Sequence, residues 1–271
     1  MKKLIALVLT LVMVLSLAAC STEKENENKT NTPAGTQNPG EQVSADFTTL
    51  ESGKLVMSTN AEFPPYEMKD DNGNYVGIDV EIATAIAEHL GLELEIADMD
   101  FDGALLAVQQ GKSDIVMAGV TVNDDRKLVM NFTNTYATGK QVIIVTEDSS
   151  VTLDNLGEQM IGTQRATTGY IYASDDYGED HVTAYDNGAT AVQALKNGQV
   201  NCVIIDNAPA QEYVKANPGL KILETEYVIE DYAIGVNKEN TKLLDAINAA
   251  LTELTNNGTI QTILDKYISA E

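Results

Sequence analysis

Strand-like and helix-like segments alternate along this chain in an order that few folds can accommodate. Residues 54–58 form an apolar run typical of a buried strand, and residues 79–90 carry apolar side chains on one helical face. Alternating apolar residues at 92–96, a helical segment at 101–110 and an apolar run at 114–118 follow. This βαβαβ order predicts a mostly parallel sheet with helices on its faces.

A second set of segments repeats the order of the first. Strand-like runs at 141–146, 160–163 and 200–205 enclose two helical segments. The helix–glycine–strand unit at 104–119 recurs at 191–206, although few residues are identical. We therefore predict an α/β protein of two lobes, each a mostly parallel sheet flanked by helices.

The C-terminal segments, from residue 232 onward, do not correspond to any element of the second set. A strand-like run at 232–236 precedes two helical segments, and the first of these has an apolar stripe that is expected to cover the first lobe. The stripe consists of Leu243, Leu244, Ile247, Leu251 and Leu254. The first lobe is then predicted to comprise residues 50–141 and 232–271, and the second residues 142–231. Two chain crossings between them would form a two-strand hinge.

The two recurring strands end in different polar sequences. The first leads into Gly119 and Thr121, and the second into Asp206. Ligands of open α/β sheets bind beyond the carboxyl ends of the strands. We expect these residues to face each other across a cleft between the lobes.

The N-terminal segment has the pattern of a secretory signal. A short positive stretch precedes an apolar run from Leu4 to Ala19, which is short for a membrane-spanning helix. The run ends in Leu-Ala-Ala before Cys20 and resembles the bacterial lipobox, which favours a signal peptide at 1–19 over a permanent anchor helix. Residues 20–49 are predicted to be a lipidated cysteine and a disordered tether, because they have few large apolar side chains.

The charge balance excludes some partners. The chain has 17 Lys and Arg residues against 41 Asp and Glu residues, for a net charge of -24. Such a surface repels phosphate backbones, so no nucleic-acid partner is expected and only lipidation would hold the protein at a membrane. The two histidines, His89 and His181, and the two cysteines have no metal-ligand or catalytic spacing. Neither a metal nor a cofactor is expected.

Several motifs together resemble a known family, the polar amino-acid type of bacterial extracellular solute-binding proteins (family 3). The resemblance spans nearly all of residues 50–271. It is carried by GIDVEI (77–82), AEFPPYE (61–67), FDGALLAVQQGKSDIVMAGVTVNDDR (101–126), ATTGYIYA (166–173) and IIDNAPAQEYV (204–214). The resemblance implies a periplasmic-binding-protein-like fold of type II, in which two lobes close on a small molecule.

The resemblance also implies roles for individual residues. Arg126 matches the arginine that binds the ligand α-carboxylate, and a guanidinium suits this task because it donates two parallel hydrogen bonds. Thr121 matches a hydroxyl position, and Gly119 offers only backbone groups. Asp206 matches the acid that binds the ligand α-ammonium. From the residues alone, Arg126 could instead pair with a neighbouring aspartate, and Asp206 could cap the helix that follows it.

The remaining candidates line the predicted pocket on both lobes. Thr167 and Thr168 match a hydroxyl and backbone N–H loop at a helix start. Phe63 and Phe101 match apolar walls, although Phe101 could equally be a core residue. Four more residues lie where the family reads the ligand side chain, and the sequence does not choose among them: Asn60, Glu62, Gln164 and Arg165.

The resulting hypothesis is a monomeric, lipid-anchored receptor on the outer face of the cytoplasmic membrane. It would capture a free L-amino acid by lobe closure and deliver it to an ABC permease and its ATPase subunit. Two alternatives stay open: a dehydratase-type enzyme on the same fold, and a ligand-sensing domain for a signalling partner. No catalytic residue stands out, and Glu62 and Arg165 give opposing indications of the ligand side chain.

Overall fold

The computed structural model describes residues 46–223 and 227–268. The predicted signal peptide, Cys20 and the tether up to residue 45 lie outside these residues. Residues 46–49 were predicted to belong to the tether but contact the first lobe. Asp46 pairs with Lys242 at 2.6 Å, and Thr48 accepts a hydrogen bond from Asn240. The folded part therefore begins a few residues earlier than composition indicates.

The described residues form twelve strands and eight α-helices. The strands are β1 Lys54–Thr59, β2 Glu62–Phe63, β3 Glu67–Lys69, β4 Tyr75–Val76, β5 Glu93–Asp98, β6 Ile115–Val116, β7 Met130–Thr146, β8 Ile161–Gln164, β9 Val182–Tyr185, β10 Cys202–Asp206, β11 Leu220–Ile222 and β12 Val228–Asn237. The α-helices are α1 Ile78–His89, α2 Phe101–Gln109, α3 Asp124–Val129, α4 Thr168–Tyr177, α5 Gly188–Lys196, α6 Asn207–Ala216, α7 Thr241–Asn256 and α8 Thr259–Tyr267. Two 3₁₀ segments occupy Leu153–Glu158 and Glu179–His181.

One nine-stranded sheet joins the two halves of the molecule in the order β5-β1-β6-β12-β7-β10-β8-β9, with β11 paired to β7. β1 pairs in parallel with β5 and β6, and β8 pairs in parallel with β9 and β10. The strands between these two groups are antiparallel. Each end of the sheet is therefore a parallel unit, as the two recurring sets predict.

The long strand β7 connects the two parallel units. Its first part pairs with β12, from Met130 opposite Asn237 to Gln141 opposite Val228. Its last part, from Gln141 to Ile144, pairs with β10 of the second unit. The sequence predicted only residues 141–146 as a strand, because residues 131–140 are rich in polar side chains.

The C-terminal helices pack on the first lobe. The four residues of the predicted stripe that are buried share one core with β1 and α1. They are Leu243, Ile247, Leu251 and Leu254, and Leu244 packs against the same core from a partly buried position. The second lobe has separate cores on the two sides of its sheet, which are built around Val203 and Ile204 respectively.

The short strands β2, β3 and β4 form a separate three-stranded sheet. The Asp70–Asn74 segment is the turn of the β3–β4 hairpin, in which Asp70 accepts hydrogen bonds from the backbone of Asn72 and Asn74. Within the described residues, none of the helices combines the length and the apolar character that crossing a bilayer requires.

Candidate ligand-binding site

A cavity lies between the two lobes. Its walls come from segments that follow the carboxyl ends of β1, β6, β8 and β10, together with side chains of the connecting strands. This position is typical of ligand sites in α/β proteins. The lining residues are Asn60, Phe63, Glu67, Phe101, Ala118, Gly119, Thr121, Arg126, Gln141, Gln164, Thr167, Thr168, Ile205, Asp206 and Tyr232.

Arg126 supplies the positive charge of this cavity. It lies on α3, where the side chain of Asn123 caps the helix by accepting a 2.8 Å hydrogen bond from the Arg126 backbone N–H. Arg126 is 7% exposed, and the guanidinium carbon lies over the ring of Phe101, 5.5 Å from the ring centroid. Burial lowers the pKa of Arg126, and the negative charge of Glu230 opposes this effect.

Among the described residues, the guanidinium donates to two backbone carbonyl groups. Nη1 donates to the carbonyl of Thr121 at 2.9 Å, and Nη2 donates across the cleft to the carbonyl of Ala166 at 3.1 Å. No carboxylate of the described residues lies within ion-pair distance of it, and Asp124 pairs with Lys127 instead. Since a buried cation without a counter-ion is costly, Arg126 is suited to bind an anionic group.

Asp206 supplies a negative charge from the second lobe. It ends β10 and caps α6, because its side chain accepts a 3.3 Å hydrogen bond from the backbone N–H of Ala208. Its Oδ2 also accepts a hydrogen bond from the hydroxyl of Tyr232. The side chain is 2% exposed, and burial raises its pKa to about 7 while the Tyr232 hydrogen bond opposes the shift. A cation bound beside Asp206 would favour the ionised form.

The two lobes touch directly around the cavity. The hydroxyl oxygens of Thr121 and Thr168 are 3.4 Å apart, and Nε2 of Gln164 donates to Oδ1 of Asn60 at 3.0 Å. Thr167 caps α4 by accepting from the backbone N–H of Tyr170. These contacts describe lobes that are closed against each other.

Comparison with known proteins agrees with this architecture. The profile of the bacterial extracellular solute-binding proteins, family 3, matches residues 55–270. The chain belongs to this family.

Three relatives of this solute-binding protein illustrate the similarity. The arginine-binding extracellular protein ArtP of Bacillus subtilis is 31% identical over 89% of this chain and 93% of its own. A probable histidine-binding protein of Neisseria gonorrhoeae is 31% identical over 79% of this chain and 83% of its own. The solved arginine-, lysine-, histidine-binding protein ArtJ of Geobacillus stearothermophilus is 32% identical, with a TM-score of 0.76 over 80% of this chain and 96% of its own. The fold is thus the two-lobed α/β fold that the sequence predicts.

Ten of the twelve ligand-binding candidates in this solute-binding protein line the cavity. They are Arg126, Asp206, Thr121, Gly119, Thr167, Thr168, Phe63, Phe101, Asn60 and Gln164. Two of these residues also have the structural role that the sequence offered as an alternative. Asp206 caps a helix, and Phe101 belongs to a buried apolar cluster.

Two candidates lie outside the cavity lining. The exposed carboxylate of Glu62 accepts a 2.6 Å hydrogen bond from Asn187, and the exposed guanidinium of Arg165 pairs with Asp186 at 3.2 Å. Each candidate directly adjoins a lining residue in the sequence, Phe63 or Gln164. Side chains of successive residues in extended chain point to opposite sides, so one member of each pair faces outward.

Gly119 fits its position for steric reasons. Its φ of 55° is in the left-handed region, and a Cβ at this residue would lie 2.9 Å from the ring of Phe63. Its backbone N–H donates to Oδ2 of Asp79, a buried residue in the first turn of α1. A larger residue would move both the loop and the aromatic wall.

Sequence reasoning missed three polar residues of the cavity: Glu67, Gln141 and Tyr232. Glu67 is the last residue of the motif AEFPPYE (61–67), so its position was available as a signal. Its side chain is fully buried, and burial together with the charge of Asp79 raises its pKa well above the usual range. Gln141 and Tyr232 lie in strand sequences that show no sign of a ligand.

The remaining titratable candidates lie away from the cavity lining. His89 is exposed on α1, and Nδ1 of His181 lies 3.2 Å from the carbonyl oxygen of Gln159. Cys202 is fully buried in β10, and burial raises the pKa of its thiol to about 12. The described residues contain no group of three or more His, Cys, Asp or Glu side chains that could hold a metal ion.

Proposed function

We propose that this protein binds a free L-α-amino acid between its lobes and delivers it to the permease of an ABC importer. The observation that carries the proposal is the pair of opposite charges in one cavity. Arg126 lacks a carboxylate partner among the described residues, and Asp206 is a buried carboxylate that accepts only from neutral donors. A zwitterionic amino acid would supply a carboxylate for Arg126 and an ammonium for Asp206.

Such a ligand would also stabilise the closed arrangement of the lobes. Arg126 lies on α3 of the predicted first lobe, and Asp206 ends β10 of the predicted second lobe. A ligand that contacts both gains its full binding free energy only when the lobes are closed, and it shifts the population to that state. We propose that β7 and β12 act as the hinge between the two lobes. The first lobe would comprise residues 50–141 and 232–271, and the second residues 142–231.

We propose a basic amino acid, and arginine first, as the ligand. ArtP of Bacillus subtilis is named for arginine, and ArtJ of Geobacillus stearothermophilus is named for arginine, lysine and histidine. The preference for a basic ligand is supported by the names of these two relatives.

A thermal-unfolding screen against the twenty amino acids and cystine tests the binding proposal. A ligand at 100 times its Kd stabilises the folded state by about 2.7 kcal/mol. We expect the largest shift with arginine, confirmed by calorimetric titration. A screen in which no amino acid raises the unfolding temperature would contradict amino-acid binding, whereas a shift with neutral amino acids alone would contradict only the basic ligand.

We further propose that Cys20 is lipidated and holds the receptor at the outer face of the cytoplasmic membrane, where it works as a monomer with the permease and its ATPase subunit. In the source bacterium, Cys20→Ala should abolish palmitate labelling and release the protein from the membrane fraction. Uptake of labelled amino acid in a strain lacking the gene should be restored by the wild-type protein and not by Arg126→Ala. Restoration by both proteins would contradict a role of this cavity in transport.

A further inference from the structure

Gln141 and Asp206 are directly opposite each other in the antiparallel pair of β7 and β10. Directly opposite residues of an antiparallel pair project their side chains to the same face of the sheet, with Cβ atoms about 4.5–5.5 Å apart. Both side chains line the cavity, and Gln141 is only 4% exposed. Gln141 therefore stands beside the carboxylate that is proposed to hold the ligand ammonium.

The amide of Gln141 has one fixed orientation. Its Nε2 donates a 2.8 Å hydrogen bond to Oε2 of Glu230, which is 5% exposed on β12. A carboxylate accepts hydrogen bonds and an amide oxygen cannot donate one, so the nitrogen must face Glu230. The amide oxygen consequently faces away from Glu230.

The amide oxygen of Gln141 is buried and has no hydrogen-bond partner. It faces the start of α4, because a Cβ built on Gly169 would lie 2.9 Å from it. A buried acceptor without a donor destabilises the structure that holds it, and a ligand N–H at this point would remove that cost. Gln141 lines the cavity, and so does Thr168, the residue that precedes Gly169 at the start of α4.

The ammonium of an amino acid has more donors than Asp206 alone can satisfy. Both carboxylate oxygens of Asp206 already accept a hydrogen bond, from Tyr232 and from the backbone of Ala208. An ammonium group has three N–H donors, which require acceptors in several directions. The neighbouring oxygen of Gln141 provides one of them.

We propose that Gln141 is a ligand-binding residue whose amide oxygen accepts a hydrogen bond from the ligand α-ammonium, and that Glu230 is the positioning residue that keeps this oxygen turned to the ligand. The inference rests on the proposed function, because it requires an α-amino acid in the cavity. It adds an acceptor from the connecting strand β7 to the predicted set.

The first experiment compares Gln141→Leu with the matched control Gln159→Leu. Gln159 also makes one side-chain hydrogen bond, to the carbonyl of Asn155, but lies outside the cavity lining. Calorimetric titration of the mature chain with arginine, lysine, histidine and glutamine should show roughly tenfold weaker binding for Gln141→Leu with every ligand that the wild-type protein binds. The order of preference should not change, because the α-ammonium is common to all of them. Gln159→Leu should bind like the wild-type protein.

The outcomes separate this inference from the proposed function. A wild-type protein that binds no amino acid contradicts the proposed function. If the wild-type protein binds and Gln141→Leu changes Kd by less than twofold, the proposed function stands and the role of Gln141 is wrong. A changed order of preference would place the contact on the ligand side chain and overturn the ammonium assignment. Gln141→Met repeats the test with an unbranched side chain if Gln141→Leu does not fold.

A double-mutant cycle tests the positioning role of Glu230. In Glu230→Gln, the new amide can donate to the oxygen of Gln141 and turn it from the ligand. Glu230→Gln should raise Kd in the wild-type chain and also in the Gln141→Leu chain. The factor of increase should be at least threefold larger in the wild-type chain. The influence of the Glu230 charge on Arg126 is present in both comparisons and cancels. Equal effects in the two backgrounds would overturn the positioning role.

Discussion

The backbone N–H of Gly119 donates a 2.9 Å hydrogen bond to Oδ2 of Asp79. This bond ties the cavity loop to a fully buried acid in the first turn of α1, close to the equally buried Glu67. Burial raises the pKa of Asp79 to about 6, and the hydrogen bond from Gly119 opposes the shift. The loop at Gly119 is therefore held by a buried carboxyl group, and burial raises the pKa of this group and of the neighbouring Glu67.

These buried acids should make the protein less stable as the pH rises. An unfolded carboxyl group has a pKa of about 4, whereas burial raises the folded pKa of Asp79 to about 6 and that of Asp206 to about 7. The folded state thus binds more protons between pH 4 and pH 7. The contribution of these two groups to the free energy of unfolding is fully present below pH 4 and is lost as the pH rises through their folded pKa values. Urea unfolding at pH 5 and pH 7.5 measures this decrease.

Glu67→Gln should flatten the dependence of stability on pH, because it replaces a carboxyl group whose pKa burial raises with a neutral side chain of the same shape. Glu212→Gln, at a partly exposed position of α6 outside the cavity lining, is the control and should keep the wild-type dependence. Identical slopes for the wild-type protein and Glu67→Gln would show that Glu67 does not titrate differently on folding.

Amino-acid affinity should increase as the pH rises from 5.5 to 7.5. A ligand ammonium binds the ionised form of Asp206, whose pKa burial raises to about 7 in the absence of ligand. Binding at lower pH must displace a proton, which weakens affinity by up to roughly tenfold per pH unit below the pKa. Titrations in two buffers of different ionisation enthalpy should detect the released proton. A Kd that is constant over this range would refute the pairing of Asp206 with the ammonium.

Arg126→Ala should weaken amino-acid binding by roughly 2–5 kcal/mol, the usual cost of removing one member of a buried charge pair. Lys127→Ala is the control, since the neighbouring Lys127 is exposed and pairs with Asp124. Calorimetric titration of both variants should leave the affinity of Lys127→Ala within twofold of the wild-type value. Equal affinities of Arg126→Ala and the wild-type protein would remove Arg126 from the site.

Gly139→Ala should disrupt the site without changing a ligand contact. A Cβ at residue 139 would lie 2.7 Å from the hydroxyl of Tyr232 and even closer to Oδ2 of Asp206. The hydrogen-bonded pair must move, so we expect at least tenfold weaker amino-acid binding by titration.

Gly103→Ala is the control for this substitution. A Cβ on Gly103 would make only ordinary contacts with Met99, at 3.6 Å or more, and alanine favours the helix α2 by about 0.5–1 kcal/mol. The variant should bind normally and unfold at an equal or higher temperature. If Gly139→Ala binds the amino acid with wild-type affinity, the backbone of β7 can shift to accommodate the new Cβ without moving Asp206.

Much of the fold was predictable from local sequence. The apolar stripe of α7 and the glycine-terminated helices of both lobes appear as regular spacings, and the structure confirms them. The first part of β7 was not predictable, because its polar residues give no strand pattern. It is a strand because β12 pairs with it between Met130 and Gln141, with two register shifts along the way.

The residues of the site likewise divide into those that local sequence predicts and those that it does not. Arg126, Asp206 and the two threonines at the start of α4 belong to motifs that a single chain displays. Gln141 was missed because its partners are set by the register of β7 against β10 and β12, and no local spacing encodes that register. Glu62 and Arg165 were included because adjacency in sequence cannot tell which of two neighbouring side chains faces a cavity.

The sequence by itself determined the α/β class, the family and most of the residues that surround the cavity, because these depend on periodicity and on short motifs. Only the tertiary structure decided which side chains share the cavity and which are buried without a counter-charge. Burial and strand register are properties of contacts between distant parts of the chain, and they set the pKa of Asp206 and the orientation of Gln141.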